Sequence, residues 1–218
     1  MLEFSKRDQY NIDMIATKKQ NVQRTIAIIK EVKAEVDEKL SYLFDGLAAN
    51  VVDALFEEMW GLDEKEALKH HFNVMRALKV QSVAYREEFA RLMNETWRTF
   101  LRTREMPALE TPRGFAGTLI TSNRKKIDSY HKMLLKDIRL RLSWLLKREL
   151  DDYPLQPEIL YLCFWQSIGQ LDLNYDERVL LIPLFHRFVM DRYGQVLGVV
   201  NRTLIEHAVG IWEDGSDT

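Results

Sequence analysis

Five histidines are the residues with which metal binding or general acid–base chemistry would begin in this chain. Glu66 and His70 lie four residues apart, so a helix would place both on one face, with His71 beside them. The sequence contains neither an H-E-x-x-H motif nor the paired E-x-x-H motifs of di-iron bundles. We therefore expect surface or interhelical histidines, and hydrogen bonds at the edge of the core for His186 and His207, which lie in apolar segments. No metal and no cofactor is predicted.

Cys163 is the single cysteine, and it lies in the apolar run ILYLCFW. It has no second cysteine with which to form an intramolecular disulfide. An apolar environment raises the pKa of a thiol and makes it a poor nucleophile. The sequence also lacks the G-x-S-x-G, P-loop and G-x-G-x-x-G motifs of hydrolases and nucleotide-binding enzymes. We therefore expect a protein that is not an enzyme.

Charge is distributed unevenly along the chain, although the formal net charge is only −2. In residues 35–66 the acidic side chains outnumber the basic ones by about eight, and residues 124–148 carry about nine basic side chains against two acidic ones. Such an asymmetry indicates that one of these segments has an electrostatic partner. The basic residues are Arg124, Lys125, Lys126, Lys132, Lys136, Arg139, Arg141, Lys147 and Arg148.

Three interpretations of the basic segment remain open. The first is an ordinary solvated face, or a self-complementary one that meets the acidic residues 35–66. The second is a docking surface for another protein, and the third is a surface for nucleic acid or anionic lipid. The sequence pI of about 6.2 makes nucleic acid the less favoured of these partners. The predicted partner-binding residues are Lys132, Lys136, Arg139 and Arg141. Trp212 joins them as either an interface residue or one that folds back onto the helical core.

The elements that must position these residues are helices. Nine glycines and five prolines are too few for the frequent turns of a β protein. We predict an all-α fold, with an elongated helical hairpin or bundle and a compact C-terminal helical subdomain. Long N-terminal helices occupy residues 1–106, a loop 107–120, a basic helix 121–152, the compact subdomain 153–212 and an acidic tail 213–218.

Apolar residues at spacings of three and four predict the two long N-terminal helices. The first is continuous or breaks near Gly46, and the second begins near Asp63. In the C-terminal part, Pro157 suits the first turn of a helix and Asn174 can cap the next one, predicted at 175–192. Pro183 is expected to kink that helix or to lie close to a packing contact.

The beginning of the sequence lacks the apolar core of a signal peptide. A membrane span needs about 20 mostly apolar residues, and the apolar runs of this chain are much shorter. We therefore expect no membrane span and a cytoplasmic location.

Two segments resemble a known family. DALFEEMW with HHFNVMRALKVQSVAYREEF, and then PLQPEILYLCFW with the helical segment that follows, are similar in content and order to the bacterial family called domain of unknown function 1631. The resemblance covers roughly residues 47–210. Family members are typically longer, which implies a short member or an N-terminal fragment. The family has no established activity from which to carry over catalytic residues. The resemblance implies a regulatory bacterial protein, with cyclic di-GMP signalling through PilZ domains as the linked pathway.

The predicted function is that of a non-catalytic regulatory or adaptor protein that acts through helix–helix contacts. The predicted partner is another protein, with a PilZ-type cyclic di-GMP receptor as one candidate and a homo-oligomer as another. The alternative is a nucleic-acid-binding module that uses residues 124–148. Where the long helices meet a partner, we expect an apolar face with Phe72, Met75, Leu78 and Phe89.

Overall fold

The computed structural model describes residues 2–103 and 105–212, with side chains from residue 19 onward. The described residues form helices and connecting turns without a β-strand, which confirms the all-α fold. The α-helices are α1 (Leu2–Met59), α2 (Lys65–Thr103), α3 (Gly114–Tyr130), α4 (Lys132–Leu146), α5 (Pro157–Ser167), α6 (Tyr175–Val179), α7 (Leu181–Phe188) and α8 (Gly194–Glu206). The acidic tail predicted for 213–218 lies outside the described residues.

Helices α1 and α2 form the long hairpin. At 1.5 Å per residue, the 58 residues of α1 extend about 87 Å and the 39 residues of α2 about 58 Å. Helix α1 is continuous through Gly46, so the predicted alternative of a break there is not observed. Helix α2 has one non-helical residue, Gln81 (φ −119°, ψ 24°), whose side-chain oxygen accepts the backbone N–H of Asp172.

One hydrophobic cluster joins the hairpin to the C-terminal helices. Phe44 of α1 lies 4.5 Å from Phe89 of α2 and 5.9 Å from Phe185 of α7, measured between ring centroids. Phe164 of α5 stacks on Phe185 at 4.1 Å with an interplanar angle of 8°. Burying an aromatic side chain of this size contributes roughly 1.5–3 kcal/mol. The two parts of the chain therefore stabilise each other through a shared aromatic core.

Helix α3 begins at Gly114, earlier than the loop predicted for 107–120 allows. Gly114 has a φ of +64°, a left-handed conformation that glycine adopts without a steric penalty. The hydroxyl of Tyr175 donates to the carbonyl of Arg113 and accepts the N–H of Ala116. Helix α3 is thus capped by a tyrosine 59 residues away from Ala116, a contact that local sequence does not reveal.

The basic segment is two helices, so the single basic helix predicted for 121–152 is wrong. His131 (φ −104°, ψ 16°) separates α3 from α4, and Lys147 ends α4 in the left-handed conformation. The break has a tertiary cause. Helix α3 packs on α5 and α7, whereas α4 packs on α8, so the two helices lie against different elements of the fold.

The C-terminal helices begin largely where the sequence predicts. Pro157 is in the first turn of α5, and Asn174 caps α6 in a reciprocal capping box with Glu177. The helix predicted at 175–192 is instead divided at Leu180 into α6 and α7. Pro183 is the third residue of α7, and the N–H groups of a helix's first turn have no carbonyl partner within the helix. The missing N–H of proline therefore costs no hydrogen bond, and Pro183 lies in the first turn of a helix instead of kinking one.

Within residues 2–103 and 105–212, no helix combines the length and the apolar character that crossing a bilayer requires.

Candidate interaction surfaces

Several basic residues of α3 and α4 are engaged within the protein. Arg139 donates to the carbonyl of Leu150. Arg141 donates to the side-chain oxygen of Asn201 and to the carbonyl of Val209, and so ties α4 to the end of α8. Both arginines are half-buried. Both arginines therefore form contacts within the fold, and their predicted part in partner binding stays a prediction.

Other members of the basic segment also have internal contacts. Arg124 forms ion pairs with Asp128 and Glu158. The Lys147 ammonium lies 3.8 Å from the ring centroid of Trp144. Besides Lys147, the exposed basic residues of the segment are Lys125, Lys126, Lys132 and Lys136, with Tyr130 and Met133 exposed on the same two helices. Lys132 and Lys136 are thus the exposed members of the predicted site, whereas Arg139, Arg141 and Trp212 are half-buried.

Trp212 lies where the chain folds back onto α4. Its backbone N–H donates to the carbonyl of Leu140, and its side chain is half-buried. Just before it, Gly210 packs so closely on Trp144 that a Cβ there would lie 2.9 Å from the indole nitrogen. Of the two interpretations of Trp212, this backbone contact matches a residue that returns to the helical core.

The acidic residues of α1 do not meet α3 or α4 in the ion pairs of the described residues. Asp45 pairs with Arg86 of α2, Glu57 with Arg187 of α7 at 3.9 Å, and His71 lies 3.5 Å from Glu58. Asp37 pairs with Lys33 within α1 itself, so the acidic segment finds its charge partners in α1, α2 and α7. An intramolecular match between the acidic and basic segments is not seen in the described part of the chain.

An aromatic stripe, which we define as Val52, Phe56 and Trp60, lies on the outer side of α1 and the turn after it. These residues follow one another at intervals of four, so they share one helix face. Phe56 is 50% exposed and Trp60 is 81% exposed. Their rings meet edge to face with centroids 6.2 Å apart. Exposed aromatic residues grouped in this way are typical of protein interfaces.

A groove of about 370 Å³ runs between α1 and α2, and we call it the hairpin groove. Its apolar side chains are Leu40 and Phe44 from α1 with Val83, Phe89 and Met93 from α2. The polar residues that line it are Asp37, Ser41, Arg86, Glu87 and Asn94. A concave apolar surface with a few polar groups is the usual form of a binding site.

The partner face predicted on α2 is only partly exposed. Leu78 and Phe89 are buried in the core, Met75 is partly buried, and Phe72 alone of the four is exposed. The large apolar residues that are exposed further along α2 are Val80, Val83 and Leu101. Helical periodicity identified the apolar residues of α2 but could not separate those that α1 and α5 cover from those that face solvent.

The histidines take part in hydrogen bonds and packing inside the protein. His70 lies 3.2 Å from the carboxylate of Glu177, and Nδ1 of His186 lies 2.6 Å from the hydroxyl of Tyr161. His207 lies 2.8 Å from Glu31. Across the described residues, no group of three or more His, Cys, Asp or Glu side chains could hold a metal ion.

The Glu177 carboxylate is the clearest buried charge, with only 5% of its side chain exposed. It accepts a hydrogen bond from Asn73 at 2.6 Å and from the backbone N–H of Asn174 at 3.0 Å. Burial raises the pKa of this carboxyl, but the hydrogen bonds from Asn73, Asn174 and His70 outweigh burial and lower it. Glu177 therefore joins α2 to α6 as an ionised group.

Cys163 is fully buried, and burial raises the pKa of its thiol to about 12. At neutral pH the sulfur is protonated, which makes it a poor nucleophile. Its Sγ atom lies 3.9 Å from the hydroxyl of Thr96.

Comparison with known proteins identifies the family. Residues 24–208 match the family described as protein of unknown function (DUF1631), N-terminal domain. The chain belongs to this family. The match covers most of the chain and confirms the resemblance found in the two sequence segments. No curated protein matches the chain, and no solved structure matches it. The helical hairpin with its aromatic stripe and groove is thus part of a DUF1631 N-terminal domain.

Proposed function

We propose that this DUF1631 domain is a non-catalytic regulatory or adaptor module of the bacterial cytoplasm that binds another protein through the aromatic stripe. The observation that carries the proposal is the exposure of Phe56 and Trp60 beside each other on α1. Aromatic residues that a partner buries commonly supply most of the binding energy of an interface.

The charges around the stripe indicate the chemistry of the partner. Asp53 and Glu57 are exposed next to Val52 and Phe56 along α1. A partner helix that offers apolar side chains with lysine or arginine at its edges would complement this surface. The acidic residues would increase the rate of encounter, and the rings would supply the affinity.

The family resemblance suggests the class of partner. We include in the proposal a PilZ-type cyclic di-GMP receptor, which would place the domain in cyclic di-GMP signalling. The histidines paired within the core and the buried thiol of Cys163 support a role without catalysis.

The test is a titration of purified PilZ-type receptor, with and without cyclic di-GMP, into the full chain by calorimetry. Trp60→Ala is expected to weaken binding at least tenfold, as loss of an interface anchor does. Tyr130→Ala is the matched control, because Tyr130 is equally exposed but lies on α3. Equal affinity of the wild type and Trp60→Ala would overturn the stripe as the binding surface, and no binding by the wild type would overturn the partner class.

A second candidate function is supported by the exposure of Lys125, Lys126, Lys132 and Lys136. These lysines, with Tyr130, would contact the phosphates of a nucleic acid. Arg139 and Arg141 are left out because they are engaged inside the protein. The test is retention on a heparin column, which should fall steeply with salt and be lost in a Lys132→Glu, Lys136→Glu variant. Retention that is unchanged in this variant would rule the lysines out.

A further inference from the structure

We propose that two copies of this chain pair through their first helices, with residues 19–30 of one copy filling the hairpin groove of the other. This surface is separate from the aromatic stripe, so the inference does not depend on the proposed partner. Both halves of the contact are present in each chain, which allows a closed and symmetric dimer.

The first half is the exposed beginning of the apolar face of α1. Val22 precedes the buried Ile29 by seven residues, and Ile26 precedes the buried Leu40 by fourteen, so both continue the core face of the helix. Val22 is nevertheless 54% exposed and Ile26 49% exposed. Among the side chains that the structure describes, burial on α1 begins only at Ile28. The core face thus extends beyond the helices that cover it.

The second half is the hairpin groove. On one side α1 and α2 are covered by the C-terminal helices, and on the other side the groove opens to solvent. Leu40 and Phe44 line the groove but are only 4% and 3% exposed, whereas Val83 of α2 is 63% exposed. Ser41 and Ala90, both small and exposed, lie at its opening. Small residues at these positions let the backbone of a third helix come close enough to reach the apolar side chains.

Helical geometry places the two halves on one face of α1. Ile26 and Asp37 are eleven residues apart, which is about three turns, so they point in nearly the same direction. A twofold axis near residue 33 then brings the α1 helices together antiparallel. Ile26 of one copy lies over Leu40 of the other, and Val22 lies over Phe44. The same contacts form a second time on the other side of the axis.

Charge favours a second copy over an unrelated helix. Residues 19–30 contain Lys19, Arg24 and Lys30 and no acidic residue, and Arg24 donates to the carbonyl of His207 of its own chain. The groove carries Glu87 and also Asp37, which is paired with Lys33 of its own helix, and its Arg86 is paired with Asp45. A basic and apolar helix therefore meets an apolar groove with an acidic edge. Opposite charges at the edges of a helix interface fix its orientation.

The first experiment measures the mass of the full chain by light scattering across a range of concentrations. We expect a dimer for the wild type, which is twice the 25.8 kDa of the chain. Ile26→Asp changes the first half and Ala90→Arg fills the groove, and each should raise the dimer dissociation constant at least tenfold. Both side chains are exposed, so neither change disturbs the core. Trp60→Ala is the control and should remain a dimer.

Disulfide cross-linking tests the antiparallel arrangement. In the double variant Ile26→Cys, Ser41→Cys the two cysteines of one chain are about 22 Å apart along α1, too far for a bond within the chain. A disulfide between them must therefore join two chains. Each single variant is a control, because an antiparallel dimer places residue 26 near residue 41 of the other copy and far from its own equivalent. Cys163 is buried and does not interfere.

The results that overturn the proposal are specific. A wild-type chain that is monomeric at the highest concentration overturns it. A dimer that is unaffected by both Ile26→Asp and Ala90→Arg overturns it as well. Cross-linking of the single variants as strong as that of the double variant would exclude the antiparallel arrangement.

Discussion

The hydroxyl of Tyr161 lies 2.6 Å from Nδ1 of His186, and burial raises the pKa of this tyrosine. The tyrosine therefore keeps its proton, and its hydroxyl donates a hydrogen bond to Nδ1. The imidazole is then neutral with its proton on Nε2, which faces a carboxylate oxygen of Asp191 at 3.3 Å. Burial lowers the pKa of His186, with Asp191 opposing and Lys126 adding to this effect. A protonated His186 could not accept the hydrogen bond.

We predict that the protein loses stability as the pH falls from 7.5 to 5.5. An unfolded histidine binds a proton near pH 6.5, whereas His186 in the folded protein does so only at lower pH, so acid favours unfolding in this window. Urea denaturation at several pH values measures this loss, and His186→Gln should show a smaller one. Burial also lowers the pKa of His131. Because the wild type and His186→Gln both contain His131, its contribution to the pH dependence is common to the two proteins. An identical pH dependence of the two proteins would contradict the prediction.

The buried Glu177 carboxylate should stabilise the fold at neutral pH and lose this effect in strong acid. Glu177→Ala is expected to cost about 2–4 kcal/mol at pH 7, because Asn73, His70 and the Asn174 N–H lose their acceptor. The pKa of this carboxyl is lowered below 4.5, so its contribution is present above pH 4.5 and disappears as the pH falls through its folded value. Denaturation at pH 7 and in strong acid should show the difference between wild type and variant shrinking. A difference that grows in acid would show the sign to be wrong.

Two glycines in helices should respond oppositely to alanine. A Cβ at Gly117 would lie 2.4 Å from the carbonyl oxygen of Pro112, which is backbone and cannot move aside, so we expect a loss of about 1–3 kcal/mol. A Cβ at Gly198 of α8 would meet nothing within 4 Å, and the better helix propensity of alanine should add about 0.5–1 kcal/mol. Thermal denaturation of the two variants beside the wild type measures both. A stabilising Gly117→Ala would mean that the contact with Pro112 is absent.

Loss of the Arg141 side chain should lower the thermal stability of the protein, whereas loss of the Lys132 side chain should not. Arg141→Met removes the hydrogen bonds to Asn201 and Val209 and should cost about 1–3 kcal/mol. In a chain of this size that lowers Tm by about 2–4 °C per kcal/mol. Lys132→Gln changes an exposed residue and should leave Tm within about 2 °C of the wild type. Calorimetry of the purified variants distinguishes them, and equal Tm values would contradict a structural role for Arg141.

Local signals in the sequence predicted those helix starts that local chemistry controls. Pro157 has a φ suited to a first turn, and the side chain of Asn174 accepts the N–H of Glu177 three residues later. Both interactions lie within one turn of the chain. The start of α3 was missed because its cap is the hydroxyl of Tyr175, which the fold brings from a distant segment.

The break at His131 was missed for a similar reason. Nothing in the residues around it disfavours a helix, and apolar positions continue at helical spacing through both α3 and α4. The ring of His131 packs against Gly194 at the start of α8, where a Cβ would lie 2.7 Å from the ring. Packing on α8, and not helix propensity, decides where the direction changes.

The sequence alone determined the all-α class, the long hairpin and the membership of a family, because apolar spacing, scarce turn residues and ordered motifs are local properties of the chain. It also determined that Cys163 lies in apolar surroundings. Only the tertiary structure decided which charges and rings reach solvent. Arg139 and Arg141 form hydrogen bonds within the protein, whereas Lys132 and Lys136 are exposed. Phe89 is buried, whereas Phe56 and Trp60 are exposed. The exposure of a side chain depends on which elements pack together, and that packing is determined by contacts between residues far apart in the chain.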